Sequence, residues 1–104
     1  MRQKVWTNFG EALKQRSYVY QLDLSQQRLE TLPSEIGRLN KVEICNLSEN
    51  DLRETSIPEE FYDLERLREL DISYNHFKVL PSSICTFLDL QKINIAGTLQ
   101  MVLI

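Results

Sequence analysis

The chain has 104 residues, 42% hydrophobic and 26% charged, with 12 Lys plus Arg against 15 Asp plus Glu for a net charge of −3. That length supports one small core and excludes two separately folded domains, and the interspersed charges form no basic stripe of the kind that tracks phosphates, so nucleic acid is not an expected partner. The longest apolar run, the terminal "MVLI", is far short of the ~18 residues that suggest a membrane span, and no apolar signal-peptide core opens the chain, so the expectation is a soluble, cytoplasmic protein with no membrane partner.

Residues 1–18 form the first unit. In "NFGEALKQ" the residues Phe9, Ala12 and Leu13 share one helical side, Asn8 is a candidate N-cap, and Glu11 three residues on is its capping-box partner. A helix near 8–16 is expected, with Trp6 packing beside it.

From residue 19 the period changes. Leu70 and Ile72 alternate with Asp71 and Ser73, as in a strand with one buried face. Asn75 interrupts, Phe77 and Leu80 resume at a spacing of three, and Pro81 removes a backbone donor, so the chain turns. Ile84 and Phe87 then suit a short helical or irregular return. The same coil occurs 25 residues earlier, where Cys45, Leu47, Asn50 and Leu52 precede a two-residue insertion around Glu54 to Ser56, followed by Ile57, Pro58, Phe61 and Leu64. A further step of 23 reaches Leu22, Leu24, Gln27, Leu29, Leu32, Pro33, Ile36 and Leu39, and a fourth copy starts at Leu90 and decays after Thr98. Repeats therefore occupy 19–41, 42–66, 67–89 and, in part, 90–104. The period falls in the range of ~20 to 29 residues typical of leucine-rich repeats.

"YQLDLSQQRLETLPSEIGRL" and "RELDISYNHFKVLPSSICTF" resemble the leucine-rich repeat family, in particular the LPxxI type of Ras-suppressor-like and many bacterial repeat proteins. The resemblance implies an α/β fold: a short right-handed horseshoe solenoid of parallel strands, here with an N-terminal capping helix, whose concave face binds other proteins. It also implies that Asn50 and Asn75 are buried and bond the backbone of neighbouring coils. Gln27 and Thr98 depart from that pattern, so a weaker ladder is expected at both ends. Strands are expected at 21–25, 44–48, 69–73 and 92–96. The expected core is Leu22, Leu24, Leu29, Leu32, Cys45, Leu47, Leu52, Leu70, Ile72, Phe77, Leu80, Ile93 and Ile95.

No catalytic, cofactor-binding or metal-binding residue is expected. His76, the one histidine, follows Asn75 at an exposed position, Cys45 points inward, and no CxxC or HxxxH pair occurs. Cys45 and Cys85 fall on different sides of the coil and are expected as reduced thiols. Side-chain alternation puts Gln21, Ile44, Glu69 and Lys92 in one concave column and Asp23, Asn46, Asp71 and Asn94 in the next. With Tyr20 and Tyr74 beside them, these are the expected protein-contact residues. A four-strand sheet offers a flat area of only ~250 Å², against ~800 Å² per partner in a standard interface. The chain therefore reads as a non-catalytic interaction module, or as a regulatory or recruiting portion of a larger repeat protein with an enzymatic domain elsewhere. The final coil, where Leu103 falls in register with Leu80, leads to the expectation of self-association through the C-terminal edge.

Overall fold

A computed structural model describes residues 4–99. Five parallel strands form one sheet in chain order: β1 (Val5–Trp6), β2 (Gln21–Asp23), β3 (Ile44–Asn46), β4 (Glu69–Asp71) and β5 (Lys92–Asn94). The register steps evenly, with Gln21 beside Ile44, Ile44 beside Glu69 and Glu69 beside Lys92. Single turns of 3-10 helix at Ser34–Arg38, Glu59–Asp63 and Ser82–Thr86 form the returns on the opposite side. Each return follows a proline, whose fixed φ leads into the turn where its missing N–H costs nothing. The chain is thus a parallel-stranded repeat solenoid, as expected.

The core runs along the inner side of the strands and returns. Leu22, Cys45 and Leu70 form one buried row, Leu24, Leu47 and Ile72 the next, and Ile36 and Phe61 face them from the returns. Val19, Val42 and Leu67 form a further fully buried row just before the strands, one not expected from the sequence although it repeats with the same steps. Leu29, Ile93 and Ile95 are only partly buried. Leu80, expected in the core, is 37% exposed. It stands where Leu32 is buried in the first coil, but Leu32 has the whole second coil packed beyond it.

Two differences concern the N-terminal unit and the strand ends. Helix α1 (Phe9–Lys14) is shorter than expected, and the Asn8 side chain does cap it, accepting from Glu11 N at 2.9 Å. The Glu11 carboxylate pairs with Lys14 at 3.7 Å. The cap, however, includes a fifth strand: β1 pairs with β2, Val5 beside Gln21 and Trp6 beside Leu22. Lys4 lies over the Trp6 ring, Nζ 3.8 Å from its centroid. The strands also end two residues sooner than expected. Gln26, Glu49, Tyr74 and Gly97, at equivalent repeat positions, all adopt positive φ between 54° and 63° and turn the chain out of the sheet. Inter-coil main-chain bonds continue to that point, from Gln26 N to Ser48 O, Glu49 N to Ser73 O and Tyr74 N to Ala96 O.

The asparagine ladder then ties coil to coil. Asn50 Oδ1 accepts from Gln27 N and Leu29 N of the first coil at 3.0 Å each, while its Nδ2 donates to Leu24 O at 2.9 Å and to Leu47 O at 3.0 Å. Asn75 repeats this one coil on, accepting from Leu52 N and donating to Leu47 O and Ile72 O. Thr98 supplies a reduced version, its hydroxyl accepting from Phe77 N at 3.3 Å. At the other end Gln27 points outward and donates to Thr7 O at 2.8 Å, fastening the cap. The two-residue insertion is absorbed as an extra 3-10 turn, Glu54–Ser56.

Candidate functional site: the concave sheet

The open face of the sheet is where side chains stand clear of the core. Val5, Gln21, Ile44, Glu69 and Lys92 form one column by register, and Asp23, Asn46, Asp71 and Asn94 the next. Of the expected contact residues, Ile44, Asn46, Glu69, Asp71, Lys92 and Asn94 line one shallow groove of about 210 Å³. Gln21 and Asp23 lie on the adjoining strand. Tyr20 precedes it, half-buried, its carbonyl accepting from Glu43 N and Ile44 N. Tyr74 is not part of the groove. It sits at the turn after β4, 60% exposed, its ring lying against Gly97. A Cβ at Gly97 would come within 2.5 Å of that ring, so glycine is required there both for the positive φ and for the aromatic neighbour.

The electrostatics divide the face. Arg68 Nη1 lies 3.0 Å from Glu69 Oε2, and Arg68 Nε lies 3.5 Å from Glu43 Oε1. Arg68 and Glu43 were not among the expected contact residues. Their signal was the same 25-residue step that sets the register, which places opposite charges side by side. In the second column each side chain turns one oxygen back to its own main chain: Oδ1 of Asp23, Asn46, Asp71 and Asn94 accepts from the N–H two residues on. These residues therefore end the strands as well as face the concavity.

The remaining reactive groups lie apart from this face or beneath it. Cys45 is buried, and burial first, then the negative charge of Asp23, pushes its thiol up to about 12, so it is not a nucleophile at neutral pH. His76 Nε2 lies 3.1 Å from Asp51 Oδ1 on the ridge beside the strands. Next to it, a wider cleft of about 860 Å³ includes Arg53, Lys78 and Tyr74. Glu54 stands there, accepting from Lys78 N at 3.0 Å, and that bond together with the charges of Lys78 and Arg53 holds its carboxyl below the usual range. Among the described residues, no group of three or more His, Cys, Asp or Glu could hold a metal ion, and no helix is long and apolar enough to cross a membrane.

A stack of parallel coils with an asparagine ladder and an open concave sheet defines a leucine-rich repeat solenoid. The leucine-rich repeat family model matches residues 17–77, and the chain belongs to that family. It is similar over its repeats to the flightless-1 homologue of Caenorhabditis elegans, at 27% identity over 73% of this chain and 8% of that protein. It is also similar to the mouse leucine-rich repeat and calponin homology domain-containing protein 1, at 38% identity over 61% of this chain and 9% of that one. Among solved structures, a leucine-rich repeat protein of Leptospira interrogans superposes with a TM-score of 0.84 at 32% identity, over 92% of this chain and 24% of that chain. The chain thus spans a small part of the length of each of these relatives.

Proposed function

We propose that the chain is a non-catalytic protein-interaction module that holds its partner on the concave sheet and adjoining turns. The observation that carries this reading is the groove in which Ile44, Asn46, Glu69, Asp71, Lys92 and Asn94 converge. Tyr20, Gln21 and Asp23 extend the surface on one side, and Tyr74 contributes from the turn. The repeats are of the LPxxI type, and the two unpaired thiols favour a cytoplasmic setting. Self-association draws support from Leu80 of the third coil, which is 37% exposed where the matching Leu32 is buried.

A second reading is favoured by the lengths of the relatives: the same repeats act as the recruiting portion of a larger protein whose catalytic domain lies elsewhere. Under either reading, Ile44→Ser should weaken partner capture while leaving the thermal melt nearly unchanged. Arg38→Glu, on the return side, should leave capture intact. Loss of capture with Arg38→Glu alone would refute the concave assignment.

A further inference from the structure

The main-chain bonds that join each coil to the next are made three times and left open a fourth. Tyr20 O accepts from Glu43 N and Ile44 N, Leu24 N donates to Asn46 O, and Gln26 N donates to Ser48 O. The same bonds run from the second coil to the third and from the third to the fourth. Their equivalents on the fourth coil, Gln91 O, Ile95 N and Gly97 N, have no main-chain partner among the described residues. Between them Ile93 turns its N–H and carbonyl the same way, because Lys92 N and Asn94 O bond toward the third coil and bonding direction alternates along a strand.

The side chains lose their cover at the same place. Val19, Val42 and Leu67, then Leu22, Cys45 and Leu70, then Leu24, Leu47 and Ile72 are each at most 2% exposed. The fourth members of these rows, Leu90, Ile93 and Ile95, are only partly buried. The outer edge of β5 is thus both open in its main chain and bordered by apolar side chains, the form in which a sheet edge accepts a further strand.

The order of groups along that edge selects the strand. Gln91 offers an acceptor, Ile93 a donor and an acceptor, and Ile95 a donor, a series that is its own complement when reversed. An antiparallel β5 of a second copy, centred on Ile93, makes four bonds: two between the Ile93 residues and two between Gln91 O and Ile95 N. It also sets each Lys92 opposite Asn94 of the other copy, so no like charges meet across the seam. Parallel union with β1 of a second copy fits less well. The register makes Thr7 O the acceptor that Ile95 N would need, and Thr7 O already accepts from Gln27 Nε2 at 2.8 Å.

We propose that two copies of the chain pair antiparallel through β5, a two-fold contact that closes at two. The proposal rests on the reading that the C-terminal edge self-associates. Opposed residues of such a pair point to the same side of the sheet, so the two concave faces become one, and the flat area of ~250 Å² doubles to ~500 Å², against ~800 Å² in a standard interface.

Light scattering after size-exclusion chromatography follows the full chain from low micromolar to near-millimolar concentration, where the mass should rise from one copy to two and stop. Ile95→Pro removes an N–H that bonds no main-chain group among the described residues but supplies two of the four seam bonds, so the dissociation constant should rise about tenfold or more. Asn94→Lys sets like charges opposite each other twice and should weaken the pair about two- to tenfold. Adding Lys92→Glu to Asn94→Lys should restore the parent affinity, because positions 92 and 94 then meet as opposite charges across the seam. Melts at concentrations where the chain is single, matching the parent, establish that the fold is intact; if Ile95→Pro unfolds the chain, the exchanges at 92 and 94 decide alone. A pair indifferent to these exchanges, a weakening that Lys92→Glu fails to reverse, or a mass that grows beyond two copies would overturn the antiparallel seam and leave self-association standing. A single copy at every concentration would overturn both.

Discussion

The two ends of the stack show equivalent residues in opposite circumstances. At the N-terminal end β1 continues the sheet, α1 inserts Ala12 into the core, and Leu32 is 5% exposed. In the third coil the matching leucine, Leu80, is 37% exposed. Residue type and repeat position are the same for Leu32 and Leu80, so neither alone sets burial. Burial here belongs to the interface between coils, which is the nearest-neighbour energetics of a repeat stack.

The largest test of that comparison sets Leu70 against Leu80. Leu70→Ala, in a row with coils packed on both sides, should cost about 3 to 5 kcal/mol in urea melts, whereas Leu80→Ala should cost under about 1.5. Equal costs would mean that coil position does not govern burial energy.

Next comes the ladder. Asn50→Ala removes bonds to main-chain groups of two coils, and with each buried orphan costing about 1 to 3 kcal/mol a total of about 2 to 4 is expected. Thr98→Ala, which removes one bond of 3.3 Å, should cost about 1. A Thr98→Asn variant sharpens the contrast: if the ladder is merely short of a residue there, stability should rise.

The smallest effect is electrostatic. The carboxyl of Glu54 is held below the usual range, first by the N–H of Lys78. A depressed carboxyl pKa favours the ionised form in the folded chain. Its contribution is therefore present above the ordinary glutamate pKa and is lost as pH falls through the depressed value. Glu54→Gln should flatten the acid limb of the stability profile slightly, with no change near neutrality beyond that of the lost bond.

Much of this was legible in the sequence because the repeat prints the same geometry several times. Four strand positions, the asparagines and most of the core followed from steps of 23 and 25 residues. β1 was not legible, since two residues, Val5 and Trp6, have no period and their pairing depends on the first coil being in place. The strand ends were missed because Gln26, Glu49 and Tyr74 take positive φ without being glycine, so no residue type announced the turn. Leu80 was misplaced because periodicity reports the inward face of a coil and is silent on how far a given position is packed over. Of the candidate surface, the columns were readable from alternation. The Arg68–Glu43 pairing had its signal in the 25-residue step, whereas the inward turn of each Oδ1 emerged only with the side chains in place.

The two cysteines of this chain make it its own stopwatch. Cys85 is open to solvent while Cys45, on the buried side of β3, has its thiol raised to about 12, so a brief pulse of an alkylating reagent marks the first in every molecule and the second only in molecules whose sheet has parted. Counting adducts by mass over increasing pulse lengths would then give the opening rate of the second coil without any added probe, and repeating the count with a bound partner would measure how strongly occupancy of the concave face holds the coils together.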